Sequence, residues 1–78
     1  MMKDRVCRVI ANVLNVNESD LDYNSSPDNI EEWDSLKHMN VVLTLEQEFG
    51  VQFNDEQMMS LLSVELIVET LKEMGVKF

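Results

Sequence analysis

The sequence predicts an all-α protein, a small four-helix bundle with a long loop between helices one and two. Hydrophobic residues recur every three or four positions in separate segments of the chain, which is the period of one helix face. The 78 residues also include only two glycines and one proline, a composition that suits packed helices better than a turn-rich β fold. A chain this short forms a single core, so we expect residues 1–78 to make one domain.

The first helix is predicted from Lys3 to Leu14, and a long loop follows it. The buried face of this helix is formed by Val6, Val9, Ile10, Val13 and Leu14. Residues 15–34 lack the helical period and are rich in Asn, Ser and Asp, which favour turns. A loop of about 20 residues is more often functional or held in place than idle. The side chains expected to hold it are Leu21, Tyr23, Ile30 and Trp33.

Helix two is predicted from Ser35 to Phe49. Asp34 is suited to be its N-cap, and Gly50 stands at the usual C-terminal position. The hydrophobic residues of this segment, which recur at threes and fours, are Leu36, Met39, Val42, Leu43 and Phe49.

Two further helices are predicted after residue 53. Asn54 and Gln57 have the spacing of a capping box, which predicts a short third helix over about residues 55–60. Ser63 is the predicted N-cap of helix four, and Gly75 ends it. The buried face of helix four is formed by Val64, Ile67, Val68, Leu71 and Met74. Three substantial helices and a short one pack naturally as a bundle.

Fifteen acidic residues against six basic ones give a net charge of −9. This charge repels nucleic acid and anionic membrane surfaces and attracts basic patches on other proteins. The single cysteine, Cys7, forms no internal disulfide and suits a reducing cytoplasm. No apolar run approaches the roughly 18 residues of a membrane span. We therefore expect a cytoplasmic monomer that binds no nucleic acid and does not insert into membranes.

Ser35 stands directly after the predicted N-cap, where backbone N–H groups are unpaired and the helix dipole favours an anion. A phosphate ester is compatible with such a position. A serine that is only part of a helix start fits the spacing equally well, so the residues around Ser35 have to decide between the two interpretations.

The wider sequence around Ser35 has a recognisable order. Asp34-Ser35-Leu36 is followed by VVLTLEQEFGVQF at residues 41–53, after helix one and the long loop and before the two C-terminal helices. In this order, over nearly its whole length, the chain resembles the acyl carrier proteins. The resemblance implies that Ser35 carries 4′-phosphopantetheine taken from coenzyme A, that the thiol of this arm holds cargo as a thioester, and that the chain has no catalytic residue.

The resemblance also implies partners and the residues that they contact. The partners would be a phosphopantetheinyl transferase and acyl- or aminoacyl-loading, elongating and transferring enzymes with basic docking patches. Asp34 and Leu36 would help the transferase to recognise the site. Further docking residues would be Glu31, Glu32, Leu43, Glu46 and Glu48. Periodicity alone places Leu36 and Leu43 in the core, so both interpretations stay open for them.

The resemblance is incomplete just after Ser35. Lys37, His38 and Asn40 occupy positions where many fatty-acid carriers continue their acidic face, and Trp33 is more typical of discrete carriers in dedicated pathways. We therefore expect a dedicated fatty-acyl, polyketide-like or aminoacyl pathway, with His38 at the surface near the arm. An apolar cleft between helices two, three and four is expected as well, although plain core packing also explains its candidate residues, which are Met39, Val42, Met59, Leu62 and Ile67.

Three other functions fit parts of the sequence. Ser35 and His38 lie one helical turn apart, as a hydrolase would require, but no Gly-x-Ser-x-Gly motif is present.

A calcium site is an alternative, because an EF-hand spacing at positions 1, 3, 5, 9 and 12 is met by Asp20, Asp22, Asn24, Asp28 and Glu31. Ser25 replaces the glycine that this loop needs, so we expect no dedicated metal ligand. An acidic interaction domain without a prosthetic group is the third alternative.

Overall fold

The computed structural model describes residues 2–77, with side chains from residue 4 onward. It contains four α-helices and, within that range, no β-strand. The helices are α1 (Met2–Leu14), α2 (Ser35–Phe49), α3 (Asp55–Met59) and α4 (Val64–Glu73), and a single turn of 3-10 helix at Glu18–Asp20 interrupts the long loop. The predicted all-α fold class is confirmed.

Capping side chains set the helix boundaries. Asp34 Oδ1 accepts a hydrogen bond of 2.8 Å from the Lys37 N–H at the start of α2. Asn54 and Gln57 form the predicted capping box, with hydrogen bonds of 2.7 and 2.9 Å. Gly50 follows α2 with a φ of 65°, the left-handed conformation that glycine adopts without steric cost. The start of α2 therefore depends on Asp34.

The hydrophobic core lies among α1, α2 and α4, and α1 packs against both of the other helices. The largest fully buried side chains are Trp33, Ile10, Leu45, Leu61, Ile67, Leu71, Val6, Val41 and Val64. Cys7 is part of this core, with only 2% of its surface exposed. No helix in the range 2–77 has the length and apolar character that crossing a bilayer requires.

The long loop is fastened to the N-terminus of α4. The Val64 N–H donates to the Ser25 carbonyl at 2.9 Å, and the Glu65 N–H donates to the Tyr23 carbonyl at 3.1 Å. These first-turn N–H groups have no partner inside their own helix, so the loop provides the acceptors. Ser63 Oγ accepts from a third N–H of the same turn, as its predicted N-cap role requires.

Three of the four side chains predicted to hold the loop are buried or partly buried. Leu21 and Trp33 are buried, and Ile30 is partly buried against the core. The side chain of Tyr23 is 43% exposed and lies outside the buried core. Tyr23 holds the loop through its backbone carbonyl, a contact that no side-chain pattern reveals.

We expect Trp33→Ala to lower the free energy of unfolding by about 3–5 kcal/mol, because it removes the largest fully buried side chain and leaves a cavity. Urea unfolding followed by circular dichroism measures this change. Leu36→Ala is the control, since Leu36 is 78% exposed and its truncation should cost less than about 0.5 kcal/mol. Equal losses in the two variants would contradict the placement of Trp33 in the core.

Candidate functional site

Ser35 is the first residue of α2, and its side chain is exposed. Asp34 provides the N-cap hydrogen bond, so the start of the helix does not require the Ser35 hydroxyl. Within residues 2–77 this hydroxyl makes no hydrogen bond to the protein. Ser35 is therefore free to react with a group brought by another molecule.

An open depression of about 410 Å³ adjoins Ser35. It lies where the end of the long loop, the first turn of α2 and the segment before α4 meet, and it is lined by Pro27, Asp34, Ser35, His38, Met39, Leu61 and Leu62. Most of these side chains are apolar, so the depression suits an uncharged chain that extends from Ser35.

The predicted cleft agrees with this depression only in part. Met39 and Leu62 line it as predicted. Val42 and Ile67 do not, because both are buried in the core, and Met59 is exposed on α3 outside the depression. Helical spacing alone does not show whether a residue lines a surface groove or is buried in the core beneath it.

Trp33 and His38 are joined by a side-chain hydrogen bond across the start of α2. The indole Nε1–H donates to His38 Nδ1 at 3.0 Å, and the two ring centroids are 5.9 Å apart. Because Nδ1 accepts, the neutral imidazole carries its proton on Nε2. Burial lowers the pKa of His38, which favours this neutral form. His38 is partly buried, and it lines the open depression together with Ser35, near the expected position of the arm.

This hydrogen bond also bears on the hydrolase interpretation. A general base has to accept the serine proton on an unprotonated ring nitrogen. The nitrogen of His38 that has a lone pair is Nδ1, and it already accepts from Trp33. Ser35 and His38 therefore lack the arrangement of a nucleophile and its base.

The acidic residues predicted for docking fall into two groups. Glu31, Glu32 and Asp34 are exposed at the end of the loop beside Ser35. The side chains of the other two are engaged within the chain: Glu46 Oε2 accepts from the Phe53 N–H at 2.8 Å, and Glu48 Oε2 lies 3.6 Å from a guanidinium nitrogen of Arg5. The docking role predicted for Glu46 and Glu48 stays a prediction, since Glu46 is partly buried and Glu48 is exposed.

Leu36 and Leu43 lie on the solvent side of α2, although periodicity alone allows both to be in the core. Met39 is exposed on the same helix, together with the uncharged side chains of Asn40 and Gln47. The exposed surface of α2 after Ser35 is therefore largely apolar or neutral.

The loop does not gather the side chains predicted as calcium ligands. Asp22 Oδ1 accepts from the Asn24 N–H at 2.8 Å, a local bond that turns the backbone. Across the part of the chain that the structure describes, no group of three or more His, Cys, Asp or Glu side chains is placed to hold a metal ion. The structure gives the calcium alternative no support.

A comparison with protein-family models adds independent information about this site. The model described as phosphopantetheine attachment site matches residues 4–71 of the 78-residue chain. The matched range includes the long loop, Ser35 with the whole of α2, and most of α4.

We expect His38 to make the folded state less stable in acid. Its pKa is lowered in the folded protein, so the unfolded chain takes up the proton at higher pH than the folded chain does. The stabilising effect is fully present above the unfolded pKa of about 6.5 and is lost as the pH falls through the folded pKa.

Urea unfolding of the wild type and of His38→Asn between about pH 8 and pH 5 tests this expectation. Asparagine retains an acceptor oxygen near the position of Nδ1 but does not titrate. The stability of the wild type relative to the variant should fall as the pH is lowered. A difference that is constant over the whole range would show that His38 titrates alike in both states.

Proposed function

The chain belongs to the phosphopantetheine attachment family, and from that membership we propose that Ser35 is the residue that carries the group. Members of this family carry 4′-phosphopantetheine covalently and are carriers without catalytic activity of their own. The acyl carrier resemblance is confirmed at the level of this family. The observation that supports Ser35 is its exposed hydroxyl at the first position of α2, where the helix cap is provided by Asp34 instead.

The surroundings of Ser35 fit a phosphopantetheine arm. The N-terminus of α2 places the positive end of a helix dipole beside the phosphodiester that would join the arm to the serine. The depression next to Ser35 offers apolar surface from Met39 and Leu62 to the chain beyond the phosphate. When bound, the group supplies the thiol that holds cargo as a thioester.

Attachment requires little of the carrier. Ser35 Oγ forms the new bond to phosphorus, its proton passes to a base on the transferase, and the nucleotide part of coenzyme A leaves. The carrier contributes a hydroxyl held at a defined place, and Asp34 and the buried Trp33 hold the backbone on its N-terminal side. Tethering then raises the effective concentration of cargo at each docked enzyme.

The partners in this proposal are a phosphopantetheinyl transferase and acyl-handling enzymes that dock beside Ser35. Leu36 and Leu43 offer them apolar contact on α2, and Glu31, Glu32 and Asp34 place negative charge at the loop end of the same site. A partner that fits has an apolar patch with basic groups on one side of it. The proposal places the carrier in the cytoplasm.

The pathway in this proposal is a dedicated one, with fatty-acyl, polyketide-like or aminoacyl cargo. This proposal is supported by Lys37, His38 and Asn40, which replace the acidic residues that many fatty-acid carriers have in helix two. Trp33, directly before Asp-Ser, supports it as well. A partner selected for a continuous acidic helix would find neutral side chains on most of this surface.

Ser35→Ala should fold like the wild type and gain no prosthetic mass, because the exposed hydroxyl contributes to attachment and not to packing. The measurement is mass spectrometry of the intact chain after incubation with coenzyme A and a broad-specificity transferase. Ser19→Ala removes another exposed serine and should be modified at the wild-type rate. A Ser35→Ala chain that still gains the mass would end this assignment.

Leu36→Ala should lower kcat/KM for modification about tenfold, the effect of losing an apolar contact worth a little over 1 kcal/mol at an interface. Met59→Ala is a matched control, since Leu36 and Met59 are both 78% exposed and differ in their distance along the chain from Ser35. Equal effects of the two substitutions would contradict a docking surface centred on the start of α2.

The acids at the loop end should make modification sensitive to salt. Replacing Glu31 and Glu32 with glutamine should lower the rate at low ionic strength and flatten its decline as salt is added, because exposed charges are screened over about 10 Å at 0.1 M. Rates at several salt concentrations test this expectation. An unchanged salt dependence would place the steering charge elsewhere.

A further inference from the structure

His38 lies one helical turn after Ser35, and both residues line the same depression. Its ring is held on one side by Trp33, whose indole N–H donates to Nδ1 at 3.0 Å. An indole N–H is a donor only, so this bond requires an unprotonated Nδ1 and leaves the proton of the neutral ring on Nε2. Trp33 thus selects the tautomer of His38.

The second ring nitrogen of His38 remains available to a ligand. The structure gives Nε2 no hydrogen-bond partner within residues 2–77. In the same range, every buried side-chain nitrogen or oxygen has a partner. Since Nε2 has none, it is not enclosed and is reachable from solvent. The depression that Ser35 lines therefore includes a histidine with an N–H donor on Nε2, and Trp33 fixes that tautomer.

We propose that His38 binds the phosphodiester of the phosphopantetheine arm through its Nε2–H, and that Trp33 orients this donor by fixing the tautomer. The inference rests on the proposed attachment at Ser35. A phosphodiester bonded to Ser35 Oγ has acceptor oxygens and a negative charge, for which an N–H donor one turn away is complementary. His38 then acts as a positioning residue for the first part of the arm.

The neighbouring charged groups allow this role. Asp34 is the other titratable residue among those that line the depression, and its Oδ1 accepts the Lys37 N–H. Lys37 is the nearest base along the chain and is partly buried. Both groups are present before and after attachment, so a change in His38 on attachment reports the phosphodiester itself.

Attachment should raise the pKa of His38 relative to the unmodified chain. Burial lowers this pKa in the protein without the arm. A phosphodiester next to Nε2 stabilises the imidazolium by charge and by hydrogen bonding, which moves the pKa in the opposite direction. Protonation of the ring adds a positive charge that the phosphorus nucleus senses across the Nε2–H hydrogen bond, so its resonance should titrate together with the ring.

Nuclear magnetic resonance of the ¹⁵N-labelled chain before and after modification tests the proposal. The chain has one histidine and one tryptophan, so each ring gives a single set of signals. The expected results are the Nε2–H tautomer in both forms, a higher His38 pKa after modification, and a ³¹P resonance that titrates with the His38 midpoint.

Two variants separate binding from a structural role. His38→Asn keeps an acceptor near the position of Nδ1 and removes the Nε2 donor, so the indole N–H signal should persist while the ³¹P titration disappears. Trp33→Phe removes the indole donor and should lower the fraction of the Nε2–H tautomer, with a smaller ³¹P titration. A ³¹P titration that survives in His38→Asn would overturn the proposal.

The outcomes also distinguish this inference from the proposed function. A modified chain in which the pKa of His38 is unmoved and the ³¹P resonance is independent of pH would overturn the role of His38 alone. A chain that gains no prosthetic mass would overturn the attachment at Ser35, and this inference with it.

Discussion

The position of Ser35 depends on the burial of Trp33. Only 1% of the tryptophan surface is exposed, and its indole N–H finds an acceptor on His38, one turn into α2. The two residues lie on either side of Asp34 and Ser35 in the sequence, so the bond spans the start of the helix. A buried indole without that acceptor would carry the cost of an unpaired donor. The burial of Trp33 and its hydrogen bond to His38 therefore both hold Ser35 in the same position.

The loop before Ser35 is held at its middle and at its C-terminal end, and this explains how a long irregular segment supports a defined site. The carbonyls of Tyr23 and Ser25 bind the first turn of α4, and Trp33 is buried at the start of α2. Between these points the acidic side chains stay exposed. Their charges therefore lie on a backbone that is fixed relative to Ser35, although the loop lacks regular secondary structure over most of its length.

The parts of the fold that sequence reasoning predicted correctly are those set by local chemistry. The capping hydrogen bonds join residues no more than four positions apart, as at Asp34, Gly50 and the pair of Asn54 and Gln57. Short sequence patterns were therefore enough to predict the helix ends. The exposed position of Ser35 was predictable in the same way. Asp34 makes the cap of α2 as predicted, and the hydroxyl of Ser35 is exposed beside it.

The contacts that the sequence did not predict join residues five or more positions apart. Glu46 reads as a surface acid, yet its carboxylate binds the backbone of Phe53 beyond the end of α2. His38 was expected near Ser35, but its hydrogen bond with Trp33 was not predicted. Neither contact has a pattern in the sequence, because each depends on the direction of a side chain in the folded protein. The backbone bond from Glu65 to the Tyr23 carbonyl is of the same kind, since no side-chain pattern predicts it.

The burial of Cys7 matters for a protein that carries thioesters. Thioesters exchange readily with thiolates, so a reachable cysteine on the carrier could take the cargo from its own arm and keep it. Cys7 is the only cysteine of the chain, and 2% of it is exposed; a thiol in such surroundings is a poor nucleophile. In the proposed carrier, the close packing of α1 would keep the Cys7 thiol away from the cargo, and the thiol of the arm would be the sulfhydryl that a labelling reagent reaches.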